Sequence, residues 1–162
     1  MAQILVVDDE PDIRQVMRVI LEADGHEIVE ADDGLAAFDV ARQGSIDLVL
    51  LDAMMPGMDG YQLLQKLLDL PDFAAPVVMV TGRSDAEGMI AEADSGAIDH
   101  ISKPFTMEEV RGTVERMLAL SPEDRDARRQ MLTRSAVVYG AMDELRSLVA
   151  DPDDDKHGRR SR

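Results

Sequence analysis

The sequence predicts an α/β domain built on a doubly wound parallel sheet, with a further helix at its C-terminal end. Five short apolar segments alternate with five amphipathic helical segments at roughly 20–25 residues per unit, as in folds of this class. The central apolar run, Leu48 to Leu51, indicates a strand buried on both faces. A chain of 162 residues is long enough for one full domain with an appendage, but too short for two ordinary domains.

The first half of this pattern runs from the N-terminus to Asp52. A strand over Gln3 to Val7 precedes a helix whose predicted buried face contains Ile13, Val16, Met17, Ile20 and Leu21. The segment from Glu27 to Ala31 alternates like a half-buried strand. Asp32 or Asp33 then caps a second helix, which is predicted to bury Leu35, Phe38 and Ala41.

The second half begins after the turn that follows Asp52. The third helix has the apolar residues Tyr61, Leu64, Leu67 and Leu68, and residues 76–80 form the fourth strand. Residues 84–95 offer only a thin apolar face, so we expect the least stable helix there. Residues 96–102 form a more polar fifth strand. Thr106 opens a last helix along Val110, Val114, Met117 and Leu118.

A separate helix is predicted after this unit, so we divide the chain into a domain over 1–120, a helical extension over 121–150 and a disordered tail over 151–162. Ser121 and Pro122 form a strong helix start. The extension carries an apolar stripe of Met131, Val138, Met142, Leu145 and Val149. It has three available partners: the domain itself, a second copy of the chain in a homodimer, or another protein.

The charge of the chain is concentrated in residues 1–120, which hold 24 acids against 8 bases, whereas residues 121–162 hold nine of each. A domain this acidic repels nucleic acid and anionic membrane surfaces, and it favours a divalent cation. We find no apolar stretch long enough to cross a membrane and no signal-peptide pattern, and therefore expect a cytoplasmic protein. The absence of cysteine excludes disulfides and thiol chemistry.

Reactive side chains follow four of the predicted strands: Asp8 and Asp9, Asp52, Thr81, and Lys103. They converge at one edge of the sheet if the strand order is 2-1-3-4-5. Clustered carboxylates suit Mg²⁺, and a metal, an ammonium group and a hydroxyl together can hold a phosphoryl group. A carboxylate can accept that group as an aspartyl-phosphate. Asp52 is our candidate acceptor because it stands alone on the middle strand.

These residues occur in motifs that resemble the receiver domain of bacterial two-component response regulators, particularly single-domain, chemotaxis-type members. The resemblance rests on the Asp8-Asp9 pair, the turn from Asp52 to Gly60, Val80-Thr81-Gly82, and Ser102-Lys103-Pro104-Phe105. It covers residues 1 to about 120 and implies a flavodoxin-like sheet of order 2-1-3-4-5. It also implies that Asp52 accepts phosphate from a histidine kinase or phosphotransfer protein.

The resemblance assigns further roles near Asp52. It implies that Asp9, Asp52 and the backbone carbonyl of Met54 bind Mg²⁺, with Asp8 helping through water. Thr81 and Lys103 would contact the phosphoryl group, and the bond between Lys103 and Pro104 would be cis. The family's aromatic switch position, three residues before the lysine, holds His100, whose ring is polar and titratable, unlike the usual aromatic residue.

No DNA-binding or catalytic output module is recognisable in the sequence, although the chain can be a fragment of a longer regulator. We therefore expect a receiver without external substrates that acts through protein contacts. Its contact surface would be residues 84–95 with the fifth strand and the helix after it, or the extension over 121–150. Two alternatives are a Mg²⁺-dependent aspartyl-phosphate phosphohydrolase and an adaptor that is never phosphorylated. Met54 stands where such hydrolases place a second acid, which argues against the first.

Overall fold

A five-stranded parallel sheet forms the centre of the molecule and confirms the predicted fold class. The computed structural model describes residues 1–82, 99–128 and 130. Its strands run in the order β2-β1-β3-β4-β5. They are β1 (Gln3–Val7), β2 (Glu27–Ala31), β3 (Leu48–Asp52), β4 (Val77–Thr81) and β5 (Asp99–Ser102).

Helices cover both faces of this sheet, and side chains fix where several of them begin. They are α1 (Pro11–Ala23), α2 (Gly34–Arg42), α3 (Gly60–Leu68) and α4 (Met107–Leu118). Asp33, one of the two predicted caps, accepts a hydrogen bond from the backbone N–H of Ala36 at 2.7 Å. Asp59 and Thr106 form capping boxes at the starts of α3 and α4. Residues 122–128 are also helical, and the hydroxyl of Ser121 accepts a hydrogen bond from the N–H of Asp124.

The core consists of two apolar layers, one on each side of the sheet. Successive residues of a strand point to opposite faces, so Val49 and Leu51 pack with α2 and α3, while Leu48 and Leu50 pack with α1 and α4. All five residues of β3 are buried. Burial on both faces explains the continuous apolar run in the sequence, and it carries Asp52 to the C-terminal edge of the sheet.

Two predicted core residues are on the surface. Val16 is 47% exposed because the buried stripe of α1 is centred on Met17, Ile20 and Leu21. Leu35 is 67% exposed. Helix α2 instead packs closely through Gly34, Ala37 and Ala41, which turns Leu35 outward.

Several predicted features lie outside the described residues. These are the helix over 84–95, residues 96–98 of the fifth strand, the apolar stripe from Met131 onward and the tail over 151–162. Within the described part of the chain, no helix has the length and hydropathy needed to cross a bilayer.

The close contact between the start of α3 and the end of β3 predicts the effect of a glycine substitution. A Cβ on Gly60 would collide with the carbonyl oxygen of Asp52 and lie 2.8 Å from the Cα of Ala53. Because these are backbone atoms, we expect Gly60→Ala to lower the free energy of unfolding by about 2–3 kcal/mol in urea denaturation.

Gly112 is the matched control, since a Cβ there meets nothing closer than Arg116 Nη1 at 3.7 Å. Gly112 lies inside α4, so Gly112→Ala should raise the free energy of unfolding by about 0.5–1 kcal/mol. Equal effects of the two substitutions would show that α3 does not approach the strand end this closely.

Candidate functional site

The strand register brings the predicted reactive residues to one edge of the sheet. Val7 of β1 pairs with Leu51 of β3, so the residues that follow them, Asp8 and Asp52, lie side by side. On the other side of β3, Asp52 pairs with Val80, the residue before Thr81. Thr81 pairs with Ser102, which directly precedes Lys103. The site is therefore a direct consequence of the strand order.

Lys103 places a positively charged ammonium group at this edge of the sheet. Its Nζ lies 2.8 Å from Asp8 Oδ2 and 3.5 Å from Asp52 Oδ1. Its backbone N–H donates to the carbonyl of Thr81, and its peptide bond to Pro104 is cis, as the family resemblance implies. The chain after β5 is thus held against β4 while the lysine side chain reaches across to the acids of β1 and β3.

The three predicted acids form one cluster. Asp8, Asp9 and Asp52 each offer a carboxylate oxygen, and these oxygens lie within 4.8 Å of one another. Asp8 and Asp52 are buried, whereas Asp9 is exposed. Asp8 Oδ1 also accepts a hydrogen bond from the N–H of Glu10 at 2.9 Å, so both oxygens of this carboxylate are engaged.

The cluster changes the proton affinity of its members. Burial raises the pKa of Asp52 to about 6, and the negative charges of Asp8 and Asp9 add to this effect, while Lys103 and the N–H of Met54 oppose it. Burial acts to lower the pKa of Lys103, but its hydrogen bond to Asp8 and the charges of Asp8, Asp52 and Glu10 outweigh it, so the pKa rises. Lys103 therefore stays protonated beside the acids.

The Thr81 hydroxyl is a buried group without a hydrogen-bond partner in the described part of the chain. A buried hydroxyl without a partner costs about 1–3 kcal/mol, so such groups are uncommon in folded proteins. Together with its place beside Asp52, this makes Thr81 a donor available to an incoming ligand.

This donor set fits Mg²⁺. The ion prefers oxygen ligands at 2.0–2.1 Å, which places opposite ligands about 4 Å apart. Oxygens within 4.8 Å can share it after a small movement, and exposed Asp9 is free of packing that would prevent one. Burial is the main cause of the raised pKa of Asp52, and a dication would also offset the repulsion from Asp8 and Asp9 that adds to it.

The structure locates the remaining predicted residues without testing their roles. The N–H of Met54 donates to Asp52 Oδ1 at 3.3 Å, and the residue is 62% exposed. His100 lies on β5 opposite Met79, with its side chain exposed. Metal binding by the Met54 carbonyl and switching by His100 remain predictions.

Sequence reasoning missed two charged residues beside the cluster. Glu10 Oε1 lies 3.7 Å from Lys103 Nζ, and Arg14 Nη1 donates to the carbonyl of Asp8 at 2.7 Å. Glu10 directly follows the acidic pair in the sequence, which is a signal that could have included it. Arg14 sits in an ordinary helical pattern and gives no such signal.

The raised pKa of Asp52 predicts how stability depends on pH. Because the folded-state pKa of about 6 exceeds the ordinary 3.8, folding takes up a proton between these values, and this contribution to stability is lost as the pH rises through 6. Without metal, Asp52→Asn should therefore raise the free energy of unfolding by about 2–3 kcal/mol near pH 8, and by almost nothing near pH 4.

Urea denaturation in the presence of a chelator at both pH values measures this difference. Asp32→Asn is the control, since Asp32 is an exposed acid that follows β2 at the same edge of the sheet. If the effect of Asp52→Asn on the free energy of unfolding does not vary with pH, or equals that of the control, the pKa of Asp52 is not raised in the folded protein.

Comparison with known proteins gives one family. Residues 4–115 match the response regulator receiver domain. Response regulator GtcR of Aneurinibacillus migulanus is 31% identical over 139 residues, covering 86% of this chain and 57% of that protein. Transcriptional regulatory protein SrrA of Staphylococcus aureus is 37% identical over 116 residues, covering 72% and 47%. The chain thus spans about half the length of the curated relatives it matches.

A solved structure shows the same fold. The receiver domain of NtrX from Brucella abortus superposes with a TM-score of 0.66 and 37% sequence identity, covering 73% of this chain and 99% of that one. Residues 4–115, which match the family, contain every strand of the sheet except the first residue of β1. They also contain the acidic cluster and Lys103. This chain belongs to the response regulator receiver domain family of two-component systems.

Proposed function

We propose that this protein is a phosphorylation-dependent receiver that accepts a phosphoryl group on Asp52 from a histidine kinase or phosphotransfer protein. Receiver domains bind Mg²⁺ in an acidic pocket and are signalling proteins rather than metabolic enzymes. One observation carries the proposal for this chain. Asp52 is only 4% exposed and lies within reach of two further acids and the ammonium of Lys103, beside the Thr81 hydroxyl, which has no hydrogen-bond partner among the described residues.

Asp52 acts as the nucleophile in this proposal. One of its carboxylate oxygens forms a bond to phosphorus while the bond from phosphorus to the donor's imidazole nitrogen breaks, and the imidazole leaves with that electron pair. The carboxyl must be ionised to attack. With a pKa of about 6, it is mostly ionised near neutral pH.

The acidic cluster and one backbone carbonyl would form the cation site. Asp9 and Asp52, with the backbone carbonyl of Met54, would hold Mg²⁺, and Asp8 would assist through water. Bound Mg²⁺ would neutralise charge on the transferring phosphoryl oxygens. Asp8 has a second task that the contacts support directly, because its carboxylate holds Lys103 Nζ at 2.8 Å.

Lys103 and Thr81 supply the contacts to the phosphoryl group. The ammonium already lies 3.5 Å from Asp52 Oδ1, so it can stabilise a charged oxygen on that atom with little movement. The Thr81 hydroxyl, which has no hydrogen-bond partner within residues 1–82 and 99–128, can donate to another oxygen of the phosphoryl group. This hydrogen bond exists only after phosphorylation, which makes Thr81 a switch residue, and we assign the same role to His100 on the neighbouring strand β5.

The output of the receiver is contact with another protein. We propose two contact surfaces, one formed by residues 84–95 with β5 and α4, the other by the extension over 121–150, which can also join two copies of the chain. Residues 1–120 then form the receiver, and residues 151–162 a tail. The acidic charge of residues 1–120 argues against nucleic acid as a direct ligand.

Phosphorylation with a small phosphodonor tests this function. Incubation with acetyl phosphate and Mg²⁺ should place one phosphoryl group on each chain, detected by intact-protein mass spectrometry, and chelation of the metal should prevent it. Asp52→Asn should abolish the reaction because the acceptor oxygen is gone.

Asp59→Asn is the matched control, since Asp59 lies in the loop that follows Asp52 and asparagine caps a helix equally well. It should leave the reaction intact. Rapid turnover of many phosphate esters would instead support the phosphohydrolase, and no Asp52-dependent label would support the adaptor. Either result would overturn the proposal.

A further inference from the structure

Arg14 links helix α1 to the backbone of the acidic cluster. Its Nη1 donates a hydrogen bond to the carbonyl oxygen of Asp8 at 2.7 Å. The side chain is only 17% exposed, so this contact is sheltered from water. A hydrogen bond from a charged donor is shorter and stronger than one between neutral groups.

The carbonyl of Asp8 belongs to the peptide group that leads to Asp9. This peptide is planar, so a bond that fixes its oxygen also fixes the direction in which the chain enters Asp9. The other polar groups of Asp8 are already engaged by Ala31, Glu10 and Lys103. Asp9 is exposed, so packing constrains its side chain less than that of buried Asp8. Among the described residues, Arg14 therefore makes the hydrogen bond that fixes the peptide joining the two acids.

Arg14 is itself held in place from β2. Its Nε lies 3.9 Å from Glu30 Oε1, and Glu30 also pairs with Arg18 at 2.9 Å. A planar guanidinium can serve the carbonyl and the carboxylate together, because its donors point in different fixed directions. An ammonium at the same place could serve only one of them well.

We propose that Arg14 is a positioning residue that orients the Asp8–Asp9 peptide for metal binding. The inference rests on the proposed function, because it concerns the Mg²⁺ site of that function. Arg14 touches neither the metal ligand atoms nor the phosphoryl group in this proposal. It acts through the backbone, and its loss should weaken metal binding more than it weakens the fold.

Isothermal titration with Mg²⁺ on the full chain tests this role. Arg14→Met removes the donors but keeps an unbranched apolar stem, and it should raise the dissociation constant for Mg²⁺ about tenfold, the lower end for a residue that supports a metal ligand. The Mg²⁺ midpoint for phosphorylation by acetyl phosphate should rise by the same factor. Arg14→Lys should give an intermediate rise of about threefold.

Arg18→Met is the matched control. Arg18 lies one turn further along α1 and shares the partner Glu30. Among the described residues its side chain pairs with Glu30 and Glu22 and makes no hydrogen bond to Asp8. It should change the dissociation constant by less than about twofold, even where it lowers the melting temperature as much as Arg14→Met does.

Equal shifts in Mg²⁺ affinity for Arg14→Met and Arg18→Met would overturn the positioning role, as would an Arg14→Met protein that binds Mg²⁺ like wild type. If Arg14→Met does not fold, Arg14→Lys decides, and wild-type affinity in that variant overturns the role. A wild-type protein that binds no Mg²⁺ would instead refute the proposed function, and the inference with it.

Discussion

Charge crowding at the carboxyl edge of the sheet is the constraint on which this site depends. Three acids from two adjacent strands have oxygens within 4.8 Å of one another, and two of these acids are buried. Such an arrangement is unfavourable for folding unless cations offset it. Lys103 does so only in part, because Asp52 retains a pKa of about 6 with the ammonium 3.5 Å away. The folded protein therefore keeps an unmet affinity for positive charge at this point.

The rest of the fold holds that unfavourable arrangement in place. Strand β3 is buried over its whole length, so it cannot withdraw Asp52 from the edge without exposing its apolar neighbours. Gly60 lets α3 begin directly against the end of the same strand. Asp8 is tied to β2, to Lys103 and to α1. Core packing thus offsets the electrostatic cost of holding these acids together.

Much of this could be predicted from the sequence, because the information is local. Apolar runs and helical spacing identified the strands and helices, and the ends of the strands identified Asp8, Asp52, Thr81 and Lys103. The family resemblance supplied the strand order. What local pattern could not supply was the orientation of groups just beyond the strands. Beyond the end of a strand, side chains no longer alternate between the two faces. The sequence therefore could not predict that Asp8 is buried and that its neighbour Asp9 is exposed.

Contacts between distant segments were also beyond local pattern. Val16 and Leu35 fit an apolar helical face, but both are exposed. Helix α1 buries its large residues around Met17, and helix α2 buries its small residues around Ala37. The contact of Arg14 with a backbone carbonyl leaves no signature in residue type. A long side chain that binds a backbone atom cannot be recognised from the sequence, because an arginine in a helical pattern looks the same whether or not it makes such a contact.

The central claim is that Asp52 is buried beside two further acids, and the pKa of Asp52 measures the combined effect of burial and neighbouring charge most directly. Carbon-13 NMR of the aspartate carboxyl groups, titrated without metal and assigned by comparison with Asp52→Asn, should give a midpoint near 6. Added Mg²⁺ should move that midpoint to lower pH, because a cation favours the ionised form. A midpoint near the ordinary value of 3.8 that Mg²⁺ does not change would contradict the account.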